Sequence, residues 1–219
     1  MLNPVQTENV FKILRKQAKK WDVPVVTLIA ETGHNPYRVL ISCLLSLRTN
    51  DRTTAPAVRK LFDVADTPEA ILKLPVKQIE SLIYPVGFYR NKAKILHGVS
   101  EDILTKWGGR VPDTVEELTT MKGVGRKTAN LVVSQGYQKP AICVDVHVHR
   151  ISNRLGWVKT SNPEETEFAL RKTLPKKHWK EINVLFVAFG QAHCRPQSPH
   201  CSTCLISEMC ARKGVSQSR

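Results

Sequence analysis

Three groups of residues in this chain have types and spacing that suit chemistry. Lys127 follows Gly123-Val124-Gly125-Arg126 and opens a helical stretch, so the positive helix end and the neighbouring Arg126 both disfavour its ammonium form. A neutral lysine amine is a nucleophile that can attack carbon and form a Schiff base, while a solvated or phosphate-contacting lysine is the plainer role. Asp145 stands among Val144, Val146 and His147, where it can stabilise nearby positive charge or cap a helix beginning near Val146. Cys194, Cys201, Cys204 and Cys210 form C-x6-C-x2-C-x5-C, too compact for independent structural cysteines. One metal centre fits, and the spacing alone leaves zinc and iron–sulfur open. Cys43 and Cys143 sit in apolar surroundings and read as buried small hydrophobes.

The elements that must hold these residues read as helices. Asp113 is placed to cap a helix with Glu116 at its third position, Leu118 and Met121 give it an apolar face, and Lys122-Gly123-Val124-Gly125 ends it. A second helix is expected over Arg126 to Gln135, with Gly136 as its stop. Gly123, Val124, Gly125 and Arg126 thus form a tight turn whose free amides suit one phosphate, although such turns often merely connect helices. Thr67-Pro68-Glu69 and Asn162-Pro163-Glu164 are further helix starts. Val144, Val146 and Val148 alternate with polar residues, yet no partner strand pattern lies nearby. The reading is all-α, with breakers at Asn35-Pro36, Leu74-Pro75, Gly108-Gly109, Val111-Pro112 and Lys139-Pro140 cutting short helices.

The 219 residues include 33 Lys plus Arg against 19 Asp plus Glu, a formal net charge of +14 that points to a polyanionic partner. With 42% hydrophobic and 24% charged residues the chain has the balance of a folded globular protein, not a disordered one. The longest apolar run, Val39 to Leu47, is far short of the ~20 residues that cross a bilayer. No secretory signal is expected at the N-terminus, which places the chain in the cytoplasm, nucleoid-associated, with no membrane partner.

Three segments together, LTTMKGVGRKTANLVV, VDVHVHRISNRLG and the four-cysteine tail, resemble the endonuclease III family of DNA glycosylases, a helix-hairpin-helix-GPD family with a 4Fe-4S cluster. Leu44-Leu45-Ser46, Val86-Gly87-Phe88-Tyr89 and Lys92-Ala93 extend the likeness over nearly the whole chain. The resemblance implies a six-helix barrel domain with the helix-hairpin-helix over residues 30–139. It implies an iron–sulfur cluster domain from residues 1–29 and 140–219. Lys127 aligns with the catalytic lysine, Asp145 with the catalytic aspartate, Gly123 to Arg126 with the DNA-binding hairpin, and the four cysteines with the 4Fe-4S ligands. The implied function is a bifunctional glycosylase and apurinic/apyrimidinic lyase of base excision repair. It would act as a monomer, removing oxidised pyrimidines from double-stranded DNA and nicking at the abasic site by β-elimination through a Lys Schiff base.

The sequence departs from the family at informative positions. Arg48 replaces a glutamine that fills the hole left by an extruded base, and Phe88 replaces a leucine wedge; either is expected to touch DNA. Lys122 stands for a proline before the turn and Val146 for a threonine after the aspartate. His147 matches a position near the active site and is expected to support Asp145. Arg48 motivates two alternatives, a glycosylase for mismatched thymine or uracil and a lyase for abasic sites alone. A non-catalytic DNA-binding module with a four-cysteine metal site is the alternative outside enzymes.

Overall fold

The computed structural model describes residues 2–18, 20–21 and 33–219, and every regular element among them is helical. The chain forms two compact units, one from Met1–Val23 with Pro140–Arg219 and one from Pro24–Lys139. The boundary expected at residues 29 and 30 lies outside the described residues.

Helix α1 (Pro4–Ala18) belongs to the first of these units, and α2 (Pro36–Ser46) is the first described helix of the central one. Asn35 accepts the amides of Tyr37 and Arg38 and Pro36 opens the first turn, so the breaker seen in the sequence is a helix start. All of Val39 to Leu45 is buried, which is why the longest apolar run of the chain is here. Around it follow α3 (Asp51–Phe62), α4 (Pro68–Leu72), α5 (Val76–Ile83), α6 (Tyr89–Lys106), α7 (Val115–Leu118) and α8 (Arg126–Leu131). Helix α6 packs on α4 and α5, and α2 packs on α8 and the turn after it.

Two local expectations are corrected here. The cap of α7 is Thr114, not Asp113: its hydroxyl accepts the Glu117 amide at 3.3 Å and donates to the Glu117 carboxylate at 2.6 Å. The one-residue shift turns Val115 and Leu118 inward, and the Asp113 carboxylate is engaged by Lys139 at 2.5 Å. The helix expected to run from Arg126 to Gln135 is α-helical only to Leu131 and widens into a π turn over Val132–Gly136. The helical run nevertheless ends at Gly136 as expected, and the glycine also answers a packing need, because a Cβ there would lie 2.8 Å from Pro36 Cα.

The outer unit holds α1, α9 (Val146–Arg154), α10 (Pro163–Thr173) and α11 (Ile182–Ala192). Its core joins Val10, Phe11 and Leu14 of α1 to Val148, Ile151, Leu170, Ile182 and Phe186. Each such side chain contributes roughly 1.5–3 kcal/mol by leaving water. Arg15 adds a paired contact, donating from Nε at 2.8 Å and Nη2 at 2.7 Å to the Glu181 carboxylate, so both ends of the sequence meet in one unit.

Candidate nucleic-acid interface and cysteine cavity

Lys127 is the second residue of α8 and is exposed, while Thr128 to Leu131 behind it are buried against the unit's core. Its charge reaches the buried Cys43 thiol, where it opposes the burial that pushes that thiol up to about 12. The two glycines of the preceding turn differ. Gly123 has φ +88, in the left-handed region that favours glycine, and a Cβ on it would meet Ile95 Cγ2 at 3.0 Å. Gly125 caps α8 at φ −94 with nothing within 4 Å of a would-be Cβ. The fold therefore demands glycine at 123 but not at 125, and at 125 its absence of side chain leaves the approach to the α8 amides clear.

Asp145 lies in the outer unit, at the start of α9, and is 9% exposed. One oxygen, Oδ1, accepts the amides of both His147 and Val148 at 2.9 Å. The capping role is thus present, with the carboxylate at the amide end of a nine-residue helix. The alternating valines flank the cap and are no strand: Val144 and Val148 are buried, and Val146 is 65% exposed. His147 meets Asp145 through its backbone amide, while its ring nitrogen Nδ1 lies 3.1 Å from Arg150 Nη2.

Arg48 and Phe88, separate in sequence, are brought together in the central unit. The Arg48 guanidinium sits 5.7 Å from the Phe88 ring centroid, both side chains are exposed, and Phe88 is 63% exposed. Both backbones are left-handed, φ 55 at Arg48 and φ 59 at Phe88, a conformation that costs non-glycine residues about 1–2 kcal/mol each.

What holds them there is a residue to which the sequence assigned no role. Lys92 is 6% exposed, and its Nζ donates to Leu45 O at 2.8 Å, Leu47 O at 2.5 Å and Thr49 Oγ1 at 3.0 Å. Burial pulls its ammonium down to about 8, while three acceptors that only a protonated amine can fully satisfy favour the charge. The signal available in the sequence was a lysine flanked by an otherwise apolar helical face.

The four cysteines line one cavity of the outer unit, together with His193, His200, Arg154 and Ile206. None is in a disulfide, and among the described residues no three His, Cys, Asp or Glu side chains converge on one ion-sized point. Arg154 Nη1 donates to Cys194 Sγ at 3.3 Å and the Arg212 amide donates to Cys210 Sγ at 3.4 Å. Burial pushes the Cys204 and Cys210 thiols up, against the backbone amides of Ile206 and Arg212 that pull the other way. Cys43 and Cys143 are buried as expected.

Residues 41–176 match the HhH-GPD superfamily base excision DNA repair protein family. The chain is 51% identical to an Endonuclease III of Thermotoga maritima over 176 residues, 80% of this chain and 83% of that protein. Its structure is similar to a trapped Endonuclease III–DNA covalent intermediate with a TM-score of 0.82 at 33% identity, covering 97% of each chain. It is also similar to a thermostable thymine-DNA glycosylase, with a TM-score of 0.74 at 26% identity over 82% of this chain and 84% of that one.

Proposed function

The chain belongs to the endonuclease III family of the HhH-GPD base excision repair superfamily, a family of DNA glycosylase/lyases, and from that premise we propose that it excises oxidised pyrimidines from duplex DNA through Lys127. The observation that carries the reading is an exposed lysine just after an uncovered glycine cap, in a fold matching a protein trapped as a covalent DNA intermediate.

The damaged nucleotide leaves the stack, since its sugar carbon is out of reach within the duplex. Lys127 Nζ attacks C1′, the C1′–base bond breaks, and the base departs with the bonding electrons and takes up a proton. Asp145, whose Oδ1 is fixed by two amides at the start of α9, is the proposed stabiliser of the positive charge that develops on the sugar. Loss of the amine proton and opening of the ring leave an imine between Lys127 and C1′. The imine draws electrons from C2′, which gives up a proton, and the 3′ phosphate leaves to form the nick. Gly123, Val124, Gly125 and Arg126 hold a backbone phosphate through amides and charge.

Cys194, Cys201, Cys204 and Cys210 are the proposed holders of a 4Fe-4S cluster. Four thiols around one cavity, two of them receiving N–H donors, fit such a group. Holding it, the four cysteines would shape a loop that carries Arg195, Arg212 and Lys213 to the phosphate backbone, and no step of the reaction runs through it. Cluster loading is read from visible absorbance.

Borohydride reduction on a duplex with one abasic site tests the lyase step. Wild-type protein should give a stable crosslink and Lys127→Ala none; a crosslink surviving in Lys127→Ala would overturn the assignment. Arg48 and the likeness to a thymine-DNA glycosylase support a second reading, mismatched thymine or uracil as substrate. Release of thymine opposite guanine in preference to oxidised pyrimidines would favour it.

A further inference from the structure

We infer that Lys92 is a positioning residue for DNA reading: its ammonium locks the Arg48 and Phe88 turns into one stacked pair that enters the gap left by an extruded nucleotide. This rests on the proposed repair activity and adds to it a residue that touches neither the sugar nor the base.

Lys92 and Thr49 tie the two turns into one network, beside the Tyr89 amide's own bond to Val86 O at 3.1 Å. Lys92 Nζ binds Leu47 O immediately before Arg48 and Thr49 Oγ1 immediately after it. The Lys92 amide donates to Phe88 O at 3.0 Å, and the Gly87 amide donates to Thr49 Oγ1 at 3.1 Å. Arg48 and Phe88 are thus each bracketed by atoms of one network, and both are in a backbone conformation that a chain without such brackets would abandon. Gly87 allows the two turns to close up, since a Cβ there would meet Arg48 O and Thr49 Oγ1 at 3.1 Å each. The bond to Leu45 O also places a cation at the carbonyl end of α2, where the helix dipole favours it.

A lysine that merely satisfied a helix end would leave the two exposed side chains unaffected. A lysine that positions them matters only where there is a gap in a duplex to fill. The first probe is a duplex with 2-aminopurine opposite a tetrahydrofuran abasic analogue, which offers Lys127 no imine chemistry. Wild-type protein at saturation should change the 2-aminopurine fluorescence several-fold, and Lys92→Met should lose most of that amplitude while its affinity for the duplex changes less than about threefold. A full amplitude in Lys92→Met, or an unchanged signal with wild-type protein, would overturn the inference.

The second probe is borohydride trapping on a natural abasic site, whose C1′ aldehyde can form the imine, in duplex and in single-stranded form. Lys92→Met should slow duplex trapping about tenfold and single-strand trapping less than about twofold, whereas equal losses on both would mark a structural role alone. Adding Lys92→Met to Arg48→Ala/Phe88→Ala should give no further loss on duplex. Should Lys92→Met fail to fold, Thr49→Val removes the shared hydroxyl while keeping the ammonium, and its fluorescence amplitude decides the question in the same way. Absence of trapping by wild-type protein would count against the lyase reading and leave the fluorescence result to stand by itself.

Discussion

Asp145 and Lys92 are two buried ionisable groups, each at the helix end that favours its sign, the start of α9 for Asp145 and the carbonyl end of α2 for Lys92, and they are positioned by opposite means. Asp145 meets amides two and three residues ahead of it, so its geometry is made by the same stretch of chain that carries it. Lys92 meets acceptors 47, 45 and 43 positions away, so its geometry exists only once α2 and α6 are packed. A local charge can be devoted to chemistry at little structural cost, because a neutral residue of the same shape can take over the cap. A long-range charge is at once a fold contact and a positioning device, and removing it disturbs both.

The largest effect should come from Asp145→Asn. Asparagine caps helices about as well as aspartate, so the thermal midpoint should move by only a few degrees. Base release from an oxidised-pyrimidine duplex should nevertheless fall by about a hundredfold or more, as expected when a charge facing a cationic transition state is removed. Asp145→Ala should fall as far in activity and also lose about 1 kcal/mol of stability with the cap. Equal activity in Asp145→Asn and wild-type protein would reduce Asp145 to its cap.

That same locality decided what could be read in advance. The helical class, the starts at Asn35-Pro36, Thr67-Pro68 and Asn162-Pro163, and the cap at Asp145 follow from side chains and backbone groups within three or four residues of each other. The cap of α7 was misjudged by one residue because Asp113 and Thr114 are both good caps, and the ion pair with Lys139 that removes Asp113 from contention spans 26 positions. Gly136 is legible as the end of its helical run, whereas its contact with Pro36 has no local trace. Lys92 stands on an otherwise apolar helical face, but nothing near it in sequence announces three acceptors.

Lys92→Met should therefore be the more damaging of the two to the fold. The substitution leaves Leu45 O without its buried donor and Leu47 O with only the Thr49 hydroxyl at 3.3 Å, and an orphaned buried carbonyl costs about 1–3 kcal/mol, reduced where solvent reaches it. A denaturant midpoint lowered in Lys92→Met but not in Asp145→Asn would sharpen the contrast, and the reverse order would break it.

A smaller and reversible effect follows from pH. Burial lowers Lys92 to about 8, against about 10.4 for an unperturbed lysine. The folded state therefore sheds this proton before the unfolded chain does, and from about pH 8 to 10 the global stability contributed by this group rises instead of falling. The local consequence has the other sign: a neutral amine keeps two donors for three acceptors, and the Arg48 and Phe88 turns loosen. The 2-aminopurine amplitude with wild-type protein should drop as pH climbs through about 8, while the small residual amplitude of Lys92→Met stays flat. A wild-type profile flat to pH 10 would mean the three acceptors hold the proton against burial.

The smallest effect expected is at the glycines before Lys127, where the same distinction between fold and function applies to residues with no side chain. Gly123 is left-handed and crowded by Ile95, so Gly123→Ala should destabilise the central unit by about 1 kcal/mol or more. Gly125 has an ordinary φ and open space, so Gly125→Ala should leave stability within about 0.5 kcal/mol. A methyl group there covers the approach to the α8 amides, and duplex affinity should fall a few-fold, measured by fluorescence anisotropy at fixed salt because phosphate contacts depend on it. If Gly125→Ala binds as tightly as wild-type protein, the turn is only a connection between helices, and Lys127 owes its place to the hairpin's shape instead of to a phosphate gripped beside it.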